Sequence, residues 1–357
     1  MKTSFVSNLA VQNALRLTIQ RGQSEMIKLN NEVTSGVHSD YGLALGGSTS
    51  RSVNISSQID RLATLKSTNS IVTQRLSGSQ EALKTTLDAA QKSLSSLMAF
   101  RDSKTDNLLK IAQDQNTAAM ATYTSAANTS LNGEYLFSGI NTDVKPITGY
   151  TDTSAAKASY DAALTTFIGA QPVQVPPLTS VSQFTKAQMT DFIENTLEPM
   201  YADPSVAGSK WTDWSSASSQ NMTSRISVNE VIQSSTNTNT EGSRKFALAS
   251  VISKELLSAD LSDEVRGTVT DKTILYMGES ITGLISMQSN LGLSEERVKK
   301  ANTSLEAQTK IVKAHQLDLE GIDPIQAGSM LKSLELQLQT SYTLTSRLQQ
   351  LSLINFL

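Results

Sequence analysis

The placement of proline constrains this chain more than any other feature. None occurs before Pro146; Pro172, Pro176, Pro177, Pro199 and Pro204 follow, and the seventh is Pro324. Proline lacks the backbone donor and clashes with the preceding turn, so helices end where it appears. The proline-free N-terminal stretch is free to be helical, and its apolar pattern requires it. Leu15, Ile19, Met26, Leu29 and Val33 advance by alternating steps of four and three, with Gly22 filling the vacant position. That is the seam of a packed helix. Gly36, Gly42, Gly46 and Gly47 interrupt it, because glycine is costly in helices and permissive in loops. The stripe resumes with Ile55, Ile59 and Leu62, then Val72, Leu76, Leu83, Leu87, Ala90, Leu94 and Leu97. The spacing predicts one continuous helix to about Ala126, on the order of 100 Å long at the helical rise.

The middle of the chain reads differently. It holds six of the seven prolines and both tryptophans, Trp211 and Trp214. Aromatic area with broken helices predicts a small inserted domain, of α+β or mainly β type. The tryptophans read as its core anchors ahead of the walls of a sugar or ligand pocket. Polar–apolar alternation from Arg225 predicts a strand or hairpin at its exit, within Arg225 to Ile232.

The C-terminal third returns to helix. Met277, Leu284, Leu291, Val298, Leu305, Val312 and Leu319 repeat every seven residues. The second seam position reads as polar, through Gln288, Glu295, Asn302 and Thr309. Ser262 before Asp263 and Glu264 marks one helix start, and Asp323 before Pro324 a firmer one, an N-cap acceptor followed by proline at the first helical position. The last helix carries Met330, Leu334, Leu338, Leu344, Leu348 and Leu351. The expected fold is mainly α: a long antiparallel coiled-coil-like rod formed by both chain ends, with the inserted domain between. The expected divisions are 1–40, an N-terminal assembly helix; 41–140, rod; 141–239, inserted domain; 240–320, rod; and 321–357, a C-terminal assembly helix. Leu15, Ile19, Met26, Leu29 and Val33 at one end, and Leu334, Leu338, Leu344, Leu348 and Leu351 at the other, form the candidate assembly interface. Each leucine buried there would contribute about 1.5–3 kcal/mol.

Composition narrows the function. Cysteine is absent and the net charge is -3, so no thiolate chemistry is expected, and without a basic block no nucleic-acid partner. No apolar run approaches the ~20 residues of a membrane span. Met1 to Gln20 lacks a continuous apolar core and does not read as a cleaved secretory signal. No nucleotide-binding, nucleophile-elbow or zinc-hydrolase motif occurs. The histidines, His38 and His315, read as surface residues. No catalytic residue, metal or cofactor is expected, and the chain does not read as an enzyme. Sequons at Asn54, Asn128, Asn221 and Asn302 are chance-level in a chain this rich in Ser and Thr.

Three motifs carry a resemblance. Leu131-Asn132-Gly133-Glu134-Tyr135-Leu136-Phe137-Ser138-Gly139 is similar to the N-G-x-Y-x-F-x-G signature, on Asn132, Gly133, Tyr135, Phe137 and Gly139, of the hook–filament junction branch (hook-associated protein 3) of the flagellin superfamily. Leu291-Gly292 with Arg297-Val298 resembles that family's L-G-x-x-x-x-R-h. Leu319-Glu320-Gly321-Ile322-Asp323 with Ala327 resembles its h-E-x-h-D-x-x-x-A. The loop from Thr34 to Tyr41 keeps Ser35-Gly36 but lacks the Arg and paired Asp that family members usually carry. The resemblance implies an exported structural subunit of the bacterial flagellum, extracellular and secreted without a cleaved signal. It implies as partners copies of itself in a junction ring, the first hook-associated protein, flagellin and a flagellar export chaperone. A filament flagellin shares the helical ends and is the alternative; a free-standing coiled-coil scaffold accounts for less.

Overall fold

The computed structural model describes residues 8–171 and 177–354. The chain is mainly helical: α1 Asn8–Ser35, α2 Tyr41–Leu45, α3 Thr49–Ser103, α4 Asp106–Ala127, α5 Ala155–Ala170, α6 Lys186–Asp191, α7 Glu198–Met200, α8 Glu241–Val251, α9 Asp263–Glu320 and α10 Pro324–Ile354. Two π-helical turns, Phe192–Leu197 and Ile252–Leu256, follow α6 and α8. Two antiparallel ribbons complete the fold, β1 Ser130–Leu131 with β2 Glu134–Tyr135, and β3 Thr223–Arg225 with β4 Val231–Gln233. The chain divides into two compact units, Met1–Thr64 with Ser304–Leu357, and Leu65–Thr303. They are called here the terminal unit and the central unit.

In the central unit α3 and α9 run antiparallel. Asn69 donates to the Asn302 side chain at 2.8 Å, and Gln80 Nε2 to the Gln288 carbonyl at 2.9 Å. The buried row on α3 is Leu76, Ser79, Leu83, Thr86, Ala90, Ser93 and Leu97. Facing it on α9 are Met277, Ser280, Leu284, Met287, Leu291, Ser294, Val298 and Ala301. The heptad is the expected one, but its second position is not. The buried partners of Leu284, Leu291 and Val298 sit three residues on, at Met287, Ser294 and Ala301, whereas Gln288, Glu295 and Asn302 are half-buried flanking groups. Small side chains let two helices approach closely, and Ser79 and Thr86 satisfy their hydroxyls on carbonyls one turn back. A search for apolar letters passes over such positions.

The continuous helix expected to Ala126 does not form. α3 stops at Ser103, Lys104 takes φ +51, and α4 doubles back along α3. Thr122, Ser125 and Ala126 then lie beside Gly78, Ala82 and Thr85. The reversal sits in the polar run Asp102–Asp106, where nothing apolar resists a turn.

Of the two expectations for the middle segment, α+β or mainly β, the second is not met: it holds helices α5 to α7 and one small ribbon. Among its described residues only β3 and β4 form a ribbon, and helices and helical turns join long irregular loops around it. The hairpin expected near Arg225 is present, with Ser224 opposite Ile232 and the turn between. The segment's aromatics join the helices in one core: Trp211 (0 % exposed), Phe192 and Tyr160 with Phe246 of α8 and Met277 of α9. Trp211 and Trp214 stack at 6.1 Å, and Trp211 Nε1 donates to Asn239 at 2.8 Å. They are core anchors.

Candidate assembly interface

In the terminal unit α1 and α10 pack antiparallel. Gly22 marks the closest approach, since a Cβ there would stand 2.7 Å from Leu338 Cδ2. Leu29 and Leu338 are buried, while Leu15, Ile19, Met26, Val33 and Leu334 are half-buried. Beyond Leu338 the covered face passes through Ser341 and Thr345, so Leu344 is left 49 % exposed. The side chains of Leu348 and Leu351 lie outside the described residues. An open cleft of about 580 Å³ runs along the pair, lined by Arg21, Gly22, Leu334 and Leu338. The outward faces keep large apolar groups in solvent: Leu17 and Ile27 on α1, Ile325, Met330 and Leu336 on α10.

The base of this pair joins two of the sequence motifs. Gly36, at φ +75, ends α1, and its carbonyl accepts from Ile322 N at 3.1 Å. His38 N donates to the Glu320 carbonyl at 3.0 Å, with Val37 bridged to Gly321. The Glu320 carboxylate is buried and accepts from the Ser52 hydroxyl and from Gln316 Nε2. Buried Glu32 accepts from Ser39 N at 3.0 Å, and His38 Nδ1 stands 3.9 Å from the same carboxylate. Asp323 caps α10 by accepting from Ile325 N and Gln326 N. His315 is exposed.

The turn from Leu131 to Gly139 follows α4 directly, in the central unit. Asn132 at φ +53 and Gly133 at φ +85 form the two-residue loop between β1 and β2, the conformation Asn-Gly favours in tight hairpins. Tyr135 is half-buried and its N–H donates to the Thr142 carbonyl. Phe137 is buried beside Leu136, and its carbonyl accepts from Thr238 N. At Gly139 (φ +64) a Cβ would stand 2.4 Å from the carbonyl oxygens of Ser218 and Gln220. The Tyr-x-Phe-x-Gly letters thus fasten a helix end to two loops that arrive about eighty and a hundred residues later.

Several further residues hold this arrangement, most of them outside any motif. Arg75 of α3 reaches Glu134 at 2.7 Å and the Tyr135 carbonyl at 3.0 Å. Arg297, within the second motif, clamps the other hairpin through Glu230 at 2.8 Å. The run Ser234–Asn239 is buried throughout despite being wholly polar; Asn237 and Asn239 bond the loop at 215–221. A run of six polar letters gives no signal of burial, because only the fold supplies their partners. Gly242 of α8 and Gly283 of α9 cross so closely that a Cβ on either would meet the other's backbone within 2.7 Å. Lys245 links Glu198 at 2.7 Å and Glu279 at 2.9 Å, and the Tyr276 hydroxyl donates to Glu198 at 2.6 Å. Burial disfavours the Glu198 carboxylate, but the hydrogen bonds from Lys245 and Tyr276 outweigh it and hold its pKa below the usual range. Among the described residues no group of three His, Cys, Asp or Glu side chains is placed to hold a metal ion, and no helix is long and apolar enough to cross a membrane.

Comparison with known proteins follows the helical ends. Residues 6–142 match the bacterial flagellin N-terminal helical region, and residues 274–357 match the bacterial flagellin C-terminal helical region. Among solved structures, a Vibrio parahaemolyticus protein described provisionally as a flagellar hook-associated protein superposes with a TM-score of 0.51. It is 11 % identical, and the alignment covers 76 % of this chain and 97 % of that one. That likeness is one of fold. No curated protein matches the sequence significantly.

Proposed function

This chain belongs to the flagellin superfamily, a family of structural subunits of the bacterial flagellum, and from that premise we propose that it forms the junction ring between hook and filament. The observation that carries the reading is the turn at Leu131–Gly139. Its Asn-Gly loop, Tyr135, Phe137 and Gly139 each hold a defined position between the end of α4 and the loops at 218–220 and 237–238. The resemblance of those residues to the junction branch is therefore one of a built element rather than of scattered letters. The fold likeness to a protein described as hook-associated agrees with it.

In this reading the terminal helices α1 and α10 enter an inner wall shared with neighbouring copies. Their exposed Leu17, Ile27, Leu336 and Leu344 are the side chains that such contacts would cover. The partners are other copies of the chain, the first hook-associated protein below and flagellin above, with an export chaperone before assembly. The location is extracellular, on the flagellum.

Immunogold electron microscopy of flagellated cells, with antibody to residues 177–239, tests this. A single band at the distal end of the hook is the expected result. Label along the whole filament would make the chain a filament flagellin and overturn the junction reading.

A further inference from the structure

We infer that the central unit carries a cationic groove that takes an acidic segment of a second copy of this chain. The inference rests on the reading of the chain as a self-assembling subunit, and it names a contact that such assembly would use. The outward face of α4, the stretch Lys145–Tyr150 and the π-helical turn Ile252–Leu256 enclose an open groove of about 670 Å³. Met120, Ala121 and Gly149 give it an apolar floor, and Lys145 and Lys254 its charge. No carboxylate lines it.

The two lysines are unspent. Among the described residues no carboxylate stands within ion-pair distance of either; the neighbouring Glu255 faces Lys157 at 3.7 Å, and Lys157 also holds Asp161. Lys254 is fixed in place. Its ammonium lies 4.9 Å from the Tyr150 ring centroid, Tyr150 stacks on Trp214 at 5.2 Å, and Trp214 stacks on Trp211. A cation pinned to a buried ring stack loses little freedom on meeting an anion. The π turn that presents it is a rare local geometry, frequent at functional sites.

A volume of several hundred Å³ is too large for one ion and suits a few residues of extended chain. In a chain whose acids outnumber its bases, complementary segments are at hand on the next copy. The turn entering α9 gathers three exposed carboxylates, Asp260, Asp263 and Glu264, within five residues. Groove and turn are different surfaces, so the contact is head-to-tail. Repeated contacts of that kind close into a ring or extend as a helix.

The test uses the full chain and a synthetic peptide spanning Ser258 to Arg266. Amide resonances of Ala121, Gly149 and Lys254 are followed during titration at low and high salt. The expected result is saturable shifts at these three, weakened by salt, and at least about tenfold weaker binding for a peptide with Asn and Gln in place of its acids. Lys145→Gln, an exposed change that leaves the ring stack untouched, is expected to weaken binding several-fold, and Lys145→Gln with Lys254→Gln to abolish it at unchanged far-ultraviolet dichroism. No shift at the groove, an equal response to the neutral peptide, or tighter binding of an oligoglucuronate would overturn the proposal. The titration is read on the isolated chain, so it stands or falls separately from where the antibody label appears.

Discussion

The terminal and central units are built from the same helices to opposite effect. Among the described residues the terminal unit buries five apolar side chains, Leu29, Leu62, Leu305, Ala327 and Leu338, and exposes twelve large ones. The central unit buries forty-nine and exposes eleven. At about 1.5–3 kcal/mol for each large apolar side chain, the central unit has far more burial to set against its ordering entropy than the terminal unit has. The difference teaches that an apolar stripe is a statement about contact, not about where the contact comes from. In the central unit the chain supplies both sides of the seam. In the terminal unit it leaves large apolar side chains in solvent, which on the proposed function neighbouring copies would cover.

The largest effects are expected where the central core is most specific. Trp211→Ala removes a fully buried ring and one of the two donors to the Asn239 amide oxygen; it should cost about 3–5 kcal/mol in urea unfolding. A loss under about 1 kcal/mol would show that the central unit is not one cooperative core. Gly139→Ala should cost about 2–3 kcal/mol, because it combines a positive φ with a 2.4 Å approach to two carbonyl oxygens. If it melts like the parent, the turn is not the fastening described above.

The terminal unit should respond in a different currency of measurement. Leu338→Glu places a charge in the α1–α10 seam. It should open both helices to hydrogen exchange while the central unit's melting stays put. Exchange that spreads through both units together would erase the distinction. Leu344→Glu alters a side chain that is already half in solvent, so the isolated chain should change by less than about 0.5 kcal/mol. Assembly should nevertheless fail, seen as missing or detached filaments. Normal motility in that variant would remove α10's outward face from the interface.

The smallest effect is electrostatic. Because the folded pKa of Glu198 is depressed, its pairing stabilises the central unit above the ordinary carboxylate value near 4.5 and is lost as the pH falls below it. Glu198 is more than a third exposed, so the change is modest. Glu198→Gln should flatten the acid limb of the central unit's stability curve and leave the terminal unit's unchanged. An acid limb identical to the parent's would assign the lability to other groups.

How much of this was legible depends on what each residue had to meet. The apolar stripe of α3, the first heptad position of α9, the break at Gly36 and the Asp323-Pro324 helix start were all readable, because each rests on neighbours a few positions away. The reversal at Lys104 was not, since a long stripe continues in phase through Leu97 and gives no reason to stop. Of the two expectations for the middle, α+β or mainly β, the mainly β one failed for a related reason. Prolines and tryptophans announce broken helices and a compact core, but not that the core is completed by Phe246 and Met277 rather than by a sheet. Of the candidate site, the signature Asn132 to Gly139 was visible as letters. Its partners Arg75, Ser218, Gln220 and Thr238 were not.

Sequence by itself determined the class of this protein: a helical chain whose two ends carry stripes made for packing, interrupted by a proline-rich middle. Periodicity is local, and it survives in the letters. Tertiary structure alone decided which stripes are satisfied within the chain and which remain open. It decided that Ser79, Ser93 and Ser294 are core while Leu336 and Leu344 are surface. It also decided that Lys254 rests on a buried ring stack beside an open groove. The physical reason is that burial and electrostatic pairing belong to neighbours in space, and for a folded-back helical chain those lie a hundred or more residues apart.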